Sequence, residues 1–303
     1  MSDNFCFRNV TKRYNNKVLD ELNFTIKKNS ITGLLGKNGA GKTTLIKAAL
    51  GMVDLDEGEV TYRGKSLKVL KKSGELFGKI GFMLEPRYNG NLTLYNNLMS
   101  IMILNGFKKS ESKEKIDAVL ETLNLVEVKN KRINKFSYGM KQRYSLAMAL
   151  IIEPEILLLD EPLVGLDPYG IELFKEKMLD LKEKKDCTIL ISSHQLLEIE
   201  ELCTDVAVLE KGKISKYDSL SKIVYYIQKI EFKYRIERIL PEVFSFGEEV
   251  WVSDDAKSIY IKNCIPDILP KITMLYPKNT ILQIEKQREG IERYFYDQKI
   301  TTN

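Results

Sequence analysis

Gly36-Lys37-Asn38-Gly39-Ala40-Gly41-Lys42-Thr43 is the stretch whose reading decides the fold. Before it, Ile31-Thr32-Gly33-Leu34-Leu35 has the apolar character of a strand. After it, Thr44-Leu45-Ile46-Lys47-Ala48-Ala49-Leu50 reads as helix and closes on Gly51. A G-x-x-x-x-G-K-[ST] pattern between a strand and a helix is a phosphate-binding loop. The glycines let backbone N–H groups converge on phosphate oxygens, and the helix start adds unpaired donors and the positive end of its dipole. In that geometry Lys42 reaches the β- and γ-phosphates of a nucleotide, and the Thr43 hydroxyl ligates Mg²⁺. The loop alone is compatible with kinases, GTPases and motors.

The bulk numbers set limits. The 303 residues allow one large domain, or a large one with a smaller companion. A 44% hydrophobic and 29% charged composition is that of an ordinary globular chain. The formal charge of +5 lacks a dense Lys/Arg stripe, so no nucleic-acid partner is expected. Cys6, Cys187, Cys203 and Cys264 show no metal-ligand spacing and read as reduced thiols. The first residues, Met-Ser-Asp-Asn, do not form a signal segment. The richest apolar patch, Leu98–Leu104, is far short of the roughly 18–20 residues that span a bilayer. A cytoplasmic chain that docks peripherally on the inner face of the membrane is the expectation.

Strand-like alternation fills residues 5–35, with a turn at Asn15-Asn16. Asp56-Glu57-Gly58-Glu59 reads as a turn into the strand Val60–Tyr62. Residues 91–135 read mostly as helix, with apolar residues at 116, 119, 120 and 123. Strand-like runs return at 156–159, 188–192 and 206–209, the pattern of an α/β layer with a parallel sheet. A short junction is expected at 218–221. Beyond it, alternating runs and two helices, near 236–243 and 267–276, predict a small ferredoxin-like or split βαβ unit.

Ile156-Leu157-Leu158-Leu159-Asp160-Glu161 is an apolar strand that ends in two acids, a Walker B arrangement. Asp160 is placed to hold Mg²⁺, and Glu161 to accept a proton from an attacking water. Phe136-Ser137-Tyr138-Gly139-Met140-Lys141-Gln142-Arg143 follows the pattern of a second anion site, a Ser and backbone N–H groups at a helix start. It resembles the signature of ATP-binding cassette proteins. Ser137, Gly139, Gln142 and Arg143 match the signature, whereas Tyr138 and Met140 depart from it. A left-handed backbone at 138 would make tyrosine costly there.

The resemblance covers roughly residues 4–215 and implies further roles. Tyr14 matches the aromatic that stacks on adenine. Gly36 to Thr43, with Thr44, form the nucleotide loop. Glu85 takes the place of a glutamine that contacts Mg²⁺ and the transporter subunit, so the implied metal set is Thr43, Glu85 and Asp160. Gly165-Leu166-Asp167 resembles the loop that communicates across the dimer. His194, the only histidine in the chain, matches the switch residue beside the γ-phosphate. In the family, Ser137 and Gly139 face the ATP held by a second copy.

The implied fold is an α/β P-loop NTPase of the cassette type. It has a mixed sheet core, an antiparallel β subdomain and a helical subdomain at about 90–140, all within residues 1–218. Residues 219–303 form a small α+β accessory domain. The space between Thr43 and Phe136 holds one helical subdomain, which sets aside the coiled-coil DNA-repair relatives, and a single cassette sets aside the translation factors. The implied function is an ATP- and Mg²⁺-dependent ATPase subunit, paired with a second copy and with separate transmembrane permeases. The signature tail and short C-terminal domain resemble bacterial exporters for bacitracin or lantibiotic self-protection. Two alternatives stay open: a regulator or sensor of the same fold, and a nucleotide-binding module with little turnover.

Overall fold

The computed structural model describes residues 5–76, 78–84, 88–264, 268–276 and 281–291. The chain divides into two units, Met1–Asp218 and Ser219–Asn303. In the first, β1 (Phe5–Arg13) and β2 (Lys17–Ile26) pair antiparallel and turn Phe5, Phe7, Leu22, Phe24 and Ile26 inward. β3 (Ile31–Leu35) is buried along its whole length, as a central parallel strand must be. The chain then runs through α1 (Lys42–Ala49), β4 (Glu57–Tyr62), β5 (Lys65–Ser66), α2 (Leu67–Ser73) and β6 (Ile80–Met83). β2-β1-β4-β5 form an antiparallel sheet. The residues expected to turn at 57–59 already belong to β4, because Glu57 and Glu59 pair with Thr11 and Arg8 of β1.

The helical segment comprises α3 (Leu94–Leu104), capped by the Thr93 hydroxyl, and α4 (Lys109–Thr122), which buries Ile116, Val119 and Leu120 on one stripe. Two 3-10 turns lead to α5 (Tyr138–Leu150). β7 (Ile156–Asp160), α6 (Pro168–Lys185), β8 (Thr188–Ser193), α7 (Leu196–Leu202), β9 (Asp205–Glu210) and β10 (Lys213–Ser219) follow. Among the described residues a six-stranded sheet runs β10-β9-β3-β8-β7-β6. Its β9-β3-β8-β7-β6 part is parallel. The two-residue turn at Lys211 and Gly212, both at positive φ, returns β10 beside β9 as a hairpin. Leu157, Leu158 and Leu159 are fully buried. Each contributes about 1.5–3 kcal/mol.

The second unit starts with α8 (Leu220–Ile223), so the expected junction at 218–221 is occupied by the end of β10 and this short helix. β11 (Tyr225–Phe232), β12 (Glu249–Val252), β13 (Ser258–Lys262), α9 (Ile268–Leu275) and β14 (Ile281–Glu289) complete it. The antiparallel order β12-β13-β11-β14 is the ferredoxin-like order. Ile230, Phe232, Ile259, Ile261 and Ile272 form its core. The helix expected near 236–243 is instead a 3-10 turn at Pro241–Ser245. Pro241 disfavours helical backbone at Leu240, which is extended, so no helix runs through 236–243.

Glu153 ties three segments together. It accepts hydrogen bonds from Lys115 of α4 at 2.6 Å and Lys185 of α6 at 2.7 Å. Those two ammoniums, Lys115 first, hold its carboxyl down at about 2. The folded value lies below the ordinary 4.5, so the contribution is complete above that pH and is lost as pH falls towards 2. We expect Glu153→Gln to be less stable than wild type at pH 6 by up to about 1 kcal/mol, as an exposed pair allows. In urea unfolding the difference should shrink at pH 3.

Candidate active site

The parallel register gathers the site at the carboxyl ends of the strands, where open α/β sheets bind ligands. Leu35 pairs with Ser193, and Asp160 with Ser192. The loops that leave β3, β7 and β8 therefore converge.

The 36–41 loop wraps the start of α1. Gly41 is the N-cap of that helix, at φ 107°, and a Cβ there would lie 2.9 Å from the Val18 carbonyl oxygen. Any side chain would push the loop off β2. Gly36 and Gly41 are buried, Ala40 and Thr44 half-buried, and Lys37, Asn38 and Gly39 form an exposed rim. Lys42 is buried and its Nζ donates to the Gly36 carbonyl at 2.7 Å, inside the bowl of the loop. The same Nζ lies 3.4 Å from Glu161 Oε1.

Asp160 is held from two sides. Thr43 Oγ1 donates to its Oδ2 at 2.6 Å, and Ser192 Oγ to its Oδ1 at 2.5 Å. Glu161 stands next in the chain at φ 48°, with its N–H bonded to Ser192 O and Oγ. That left-handed backbone breaks the strand alternation and brings the Glu161 carboxylate between Lys42 and His194. His194 Nδ1 is 2.8 Å from Glu161 Oε2; a carboxylate accepts, so Nδ1 carries the proton.

Thr43 and Asp160 supply hard oxygen donors at one point, the set Mg²⁺ takes alongside phosphates and water. Among the described residues no group of three or more His, Cys, Asp or Glu gathers as a protein-only metal cage. Glu85, the third expected ligand, lies outside the described residues.

The other expected residues sit in two further places. Tyr14 is exposed at the end of β1, with the Lys12 ammonium 5.3 Å from its ring centre. Ser137 is the N-cap of α5, its hydroxyl accepting from Met140 N at 3.3 Å, and is exposed; Gly139 is half-buried beside it. Tyr138 is helical and absent from the positive-φ residues, so its side chain carries no left-handed penalty. Asp167 caps α6, accepting from Gly170 N at 2.9 Å.

A family profile described as "ABC transporter" matches residues 19–164. The bacitracin transport ATP-binding protein BcrA of Bacillus licheniformis is 40% identical over 218 residues, 70% of each chain. The protein of the same name from Enterococcus faecalis is 37% identical over 217 residues, 71% of this chain and 69% of that one. This chain belongs to the ABC transporter ATP-binding family. It is the ATP-hydrolysing subunit of a transporter. The dimeric structure of MJ0796, a bacterial ABC transporter cassette, shares the fold at TM-score 0.67 and 24% identity, covering 71% of this chain and 98% of that one. Among the described residues of this cassette, no helix is long and apolar enough to cross a membrane.

Ser192 is the site residue that sequence reasoning missed. Its signal was a hydroxyl pair, Ser192-Ser193, closing an otherwise apolar strand just before the only histidine. Ser192→Ala removes a charge-assisted bond to Asp160, so a loss of about 1.5–3 kcal/mol in unfolding stability is expected by chemical denaturation.

Proposed function

We propose that the chain powers an exporter of peptide antibiotics of the bacitracin class, working from the cytoplasmic side of the membrane. The observation that carries this reading is the 40% identity to a bacitracin transport ATP-binding protein, joined to a site that brings Lys42, Glu161 and His194 together.

In this reading Tyr14 stacks on adenine and the 36–43 loop cradles the phosphates. Lys42, which donates to Gly36 O and lies beside Glu161, turns its N–H donors to the β/γ-phosphates. Thr43 and Asp160 would hold Mg²⁺, which supplies neutralisation of phosphate charge when bound. Glu161 accepts the proton of the attacking water. His194 donates to Glu161 through Nδ1, which fixes the carboxylate and stabilises charge in the transition state. Ser137 and Gly139 complete the site of a second copy, and a cassette of the same fold that is dimeric supports that arrangement.

A cavity of about 1300 Å³ lies between β6, α3 and α5, with Phe82, Tyr88, Ser100, Ile101, Tyr144 and Met148 in its wall. At its other end Tyr14, Thr43 and Asp160 line it, so it opens into the nucleotide site of this reading. We assign its β6–α3–α5 end to a cytoplasmic segment of the permease, whose docking would then be felt next to the nucleotide.

Lys42→Ala is expected to lose nucleotide binding in a fluorescent-ATP titration. Glu161→Gln should keep ATP binding but lose at least about a hundredfold in kcat, and it should run as an ATP-dependent dimer on a sizing column. Equal phosphate release by Glu161→Gln and wild type would rule out Glu161 as the base. For the transported class, coexpression with its permease partner should raise bacitracin resistance in a sensitive host, and the Glu161→Gln form should not.

A further inference from the structure

Tyr138 departs from the family signature, and its surroundings give it a use. The loop after β7 passes under it. A Cβ added to Gly165 would overlap the Cδ1–Cε1 edge of the Tyr138 ring, and Gly165 sits at φ 79°. The ring therefore lies directly on the bare backbone of that loop. Two more contacts join the same two segments. Buried Gln142, one turn along α5, donates through Nε2 to the Val164 carbonyl at 2.9 Å. A Cβ on Gly139 would lie 3.0 Å from the Gly165 carbonyl oxygen, so the helix start approaches the loop backbone closely. The Tyr138 hydroxyl adds little: it is 3.4 Å from Gln142 Nε2.

We propose that Tyr138 is a positioning residue for ATP hydrolysis, its ring locking the signature turn at Ser137–Gly139 to the 164–167 loop so that both meet the second copy as one body. The proposal rests on the composite-site reading above. Under that reading Ser137 and the loop ending at Asp167 both act across the interface. With glycine at 138 the ring contact would be lost, while the Gln142 bond and the close approach at Gly139 stay. The tyrosine ring takes up the rotational freedom that remains. Gly165 is the matching half of the device, since only glycine leaves room for the ring and accepts the positive φ without strain.

The test uses the purified full chain and two readouts. In hydrogen exchange without nucleotide, Tyr138→Ala should speed exchange of the 163–167 amides while Tyr138→Phe matches wild type. In steady-state ATPase assays, Tyr138→Ala should lose about tenfold to a hundredfold in kcat, the scale of a 1 Å misplacement. Its KM for ATP should stay within about twofold, because the loop that binds the nucleotide is untouched. Tyr138→Phe should keep wild-type kinetics. Gly165→Ala should also lose kcat, and adding Tyr138→Ala should cause no further loss because the clash is gone. Wild-type exchange or wild-type kcat in Tyr138→Ala overturns the proposal, as does a multiplicative loss in the double variant. The exchange arm needs no dimer. Failure of Glu161→Gln to dimerise with ATP would sink the composite site, while the exchange result would still judge the lock.

Discussion

Asp160 takes a hydrogen bond from Thr43 at the start of α1 and another from Ser192 in β8. The rest of the site depends on that double hold. It fastens the start of α1, the end of β7 and the end of β8 at one point, and it works only in the observed register. A one-residue slip of β7 against β8 would turn Asp160 to the opposite face and leave a charge without partners. Because β7 is apolar and buried on both faces up to Leu159, Asp160 with its two partners is the position that marks the register. One strand, Ile156–Asp160, thus carries both core leucines and the carboxylate around which the site is arranged.

From Asp160 the geometry propagates one residue at a time. Glu161 leaves the strand in a left-handed conformation, and both its carboxylate oxygens are engaged, by Lys42 and by His194. Strain of this kind persists where the surroundings over-determine it. Here the N–H of Glu161 is tied to Ser192, so the residue that holds the Asp160 carboxylate also anchors the backbone of Glu161. Four residues further on, the same loop passes beneath Tyr138. One short segment therefore links Glu161 to the turn at Ser137–Gly139.

Much of this was legible in the sequence because the phosphate loop, the acid-ended strand and the signature each rest on local backbone requirements. A Gly at φ 107°, an apolar run ending in acids and a Ser N-cap each leave a mark in consecutive residues. Ser192 left only a faint one, since its role comes from lying opposite Asp160 in a parallel pair thirty-two residues away. The contact between Tyr138 and Gly165 is likewise invisible along the chain, because it joins two segments that are distant in sequence. In the second unit the alternation of β11 to β13 was readable, whereas Pro241 rules out the helix expected near 236–243. Glu85 was readable as a motif position and lies outside the described residues.

The central claim is that the site is completed by a second copy, with Lys42, Glu161 and His194 supplied by one chain and Ser137 by the other. The most direct measurement is ATPase activity per chain as a function of protein concentration, at saturating ATP and Mg²⁺. A shared site predicts that activity per chain falls towards zero on dilution and rises to a plateau as chains pair. Constant activity per chain, down to concentrations at which a sizing column shows only monomer, would contradict it.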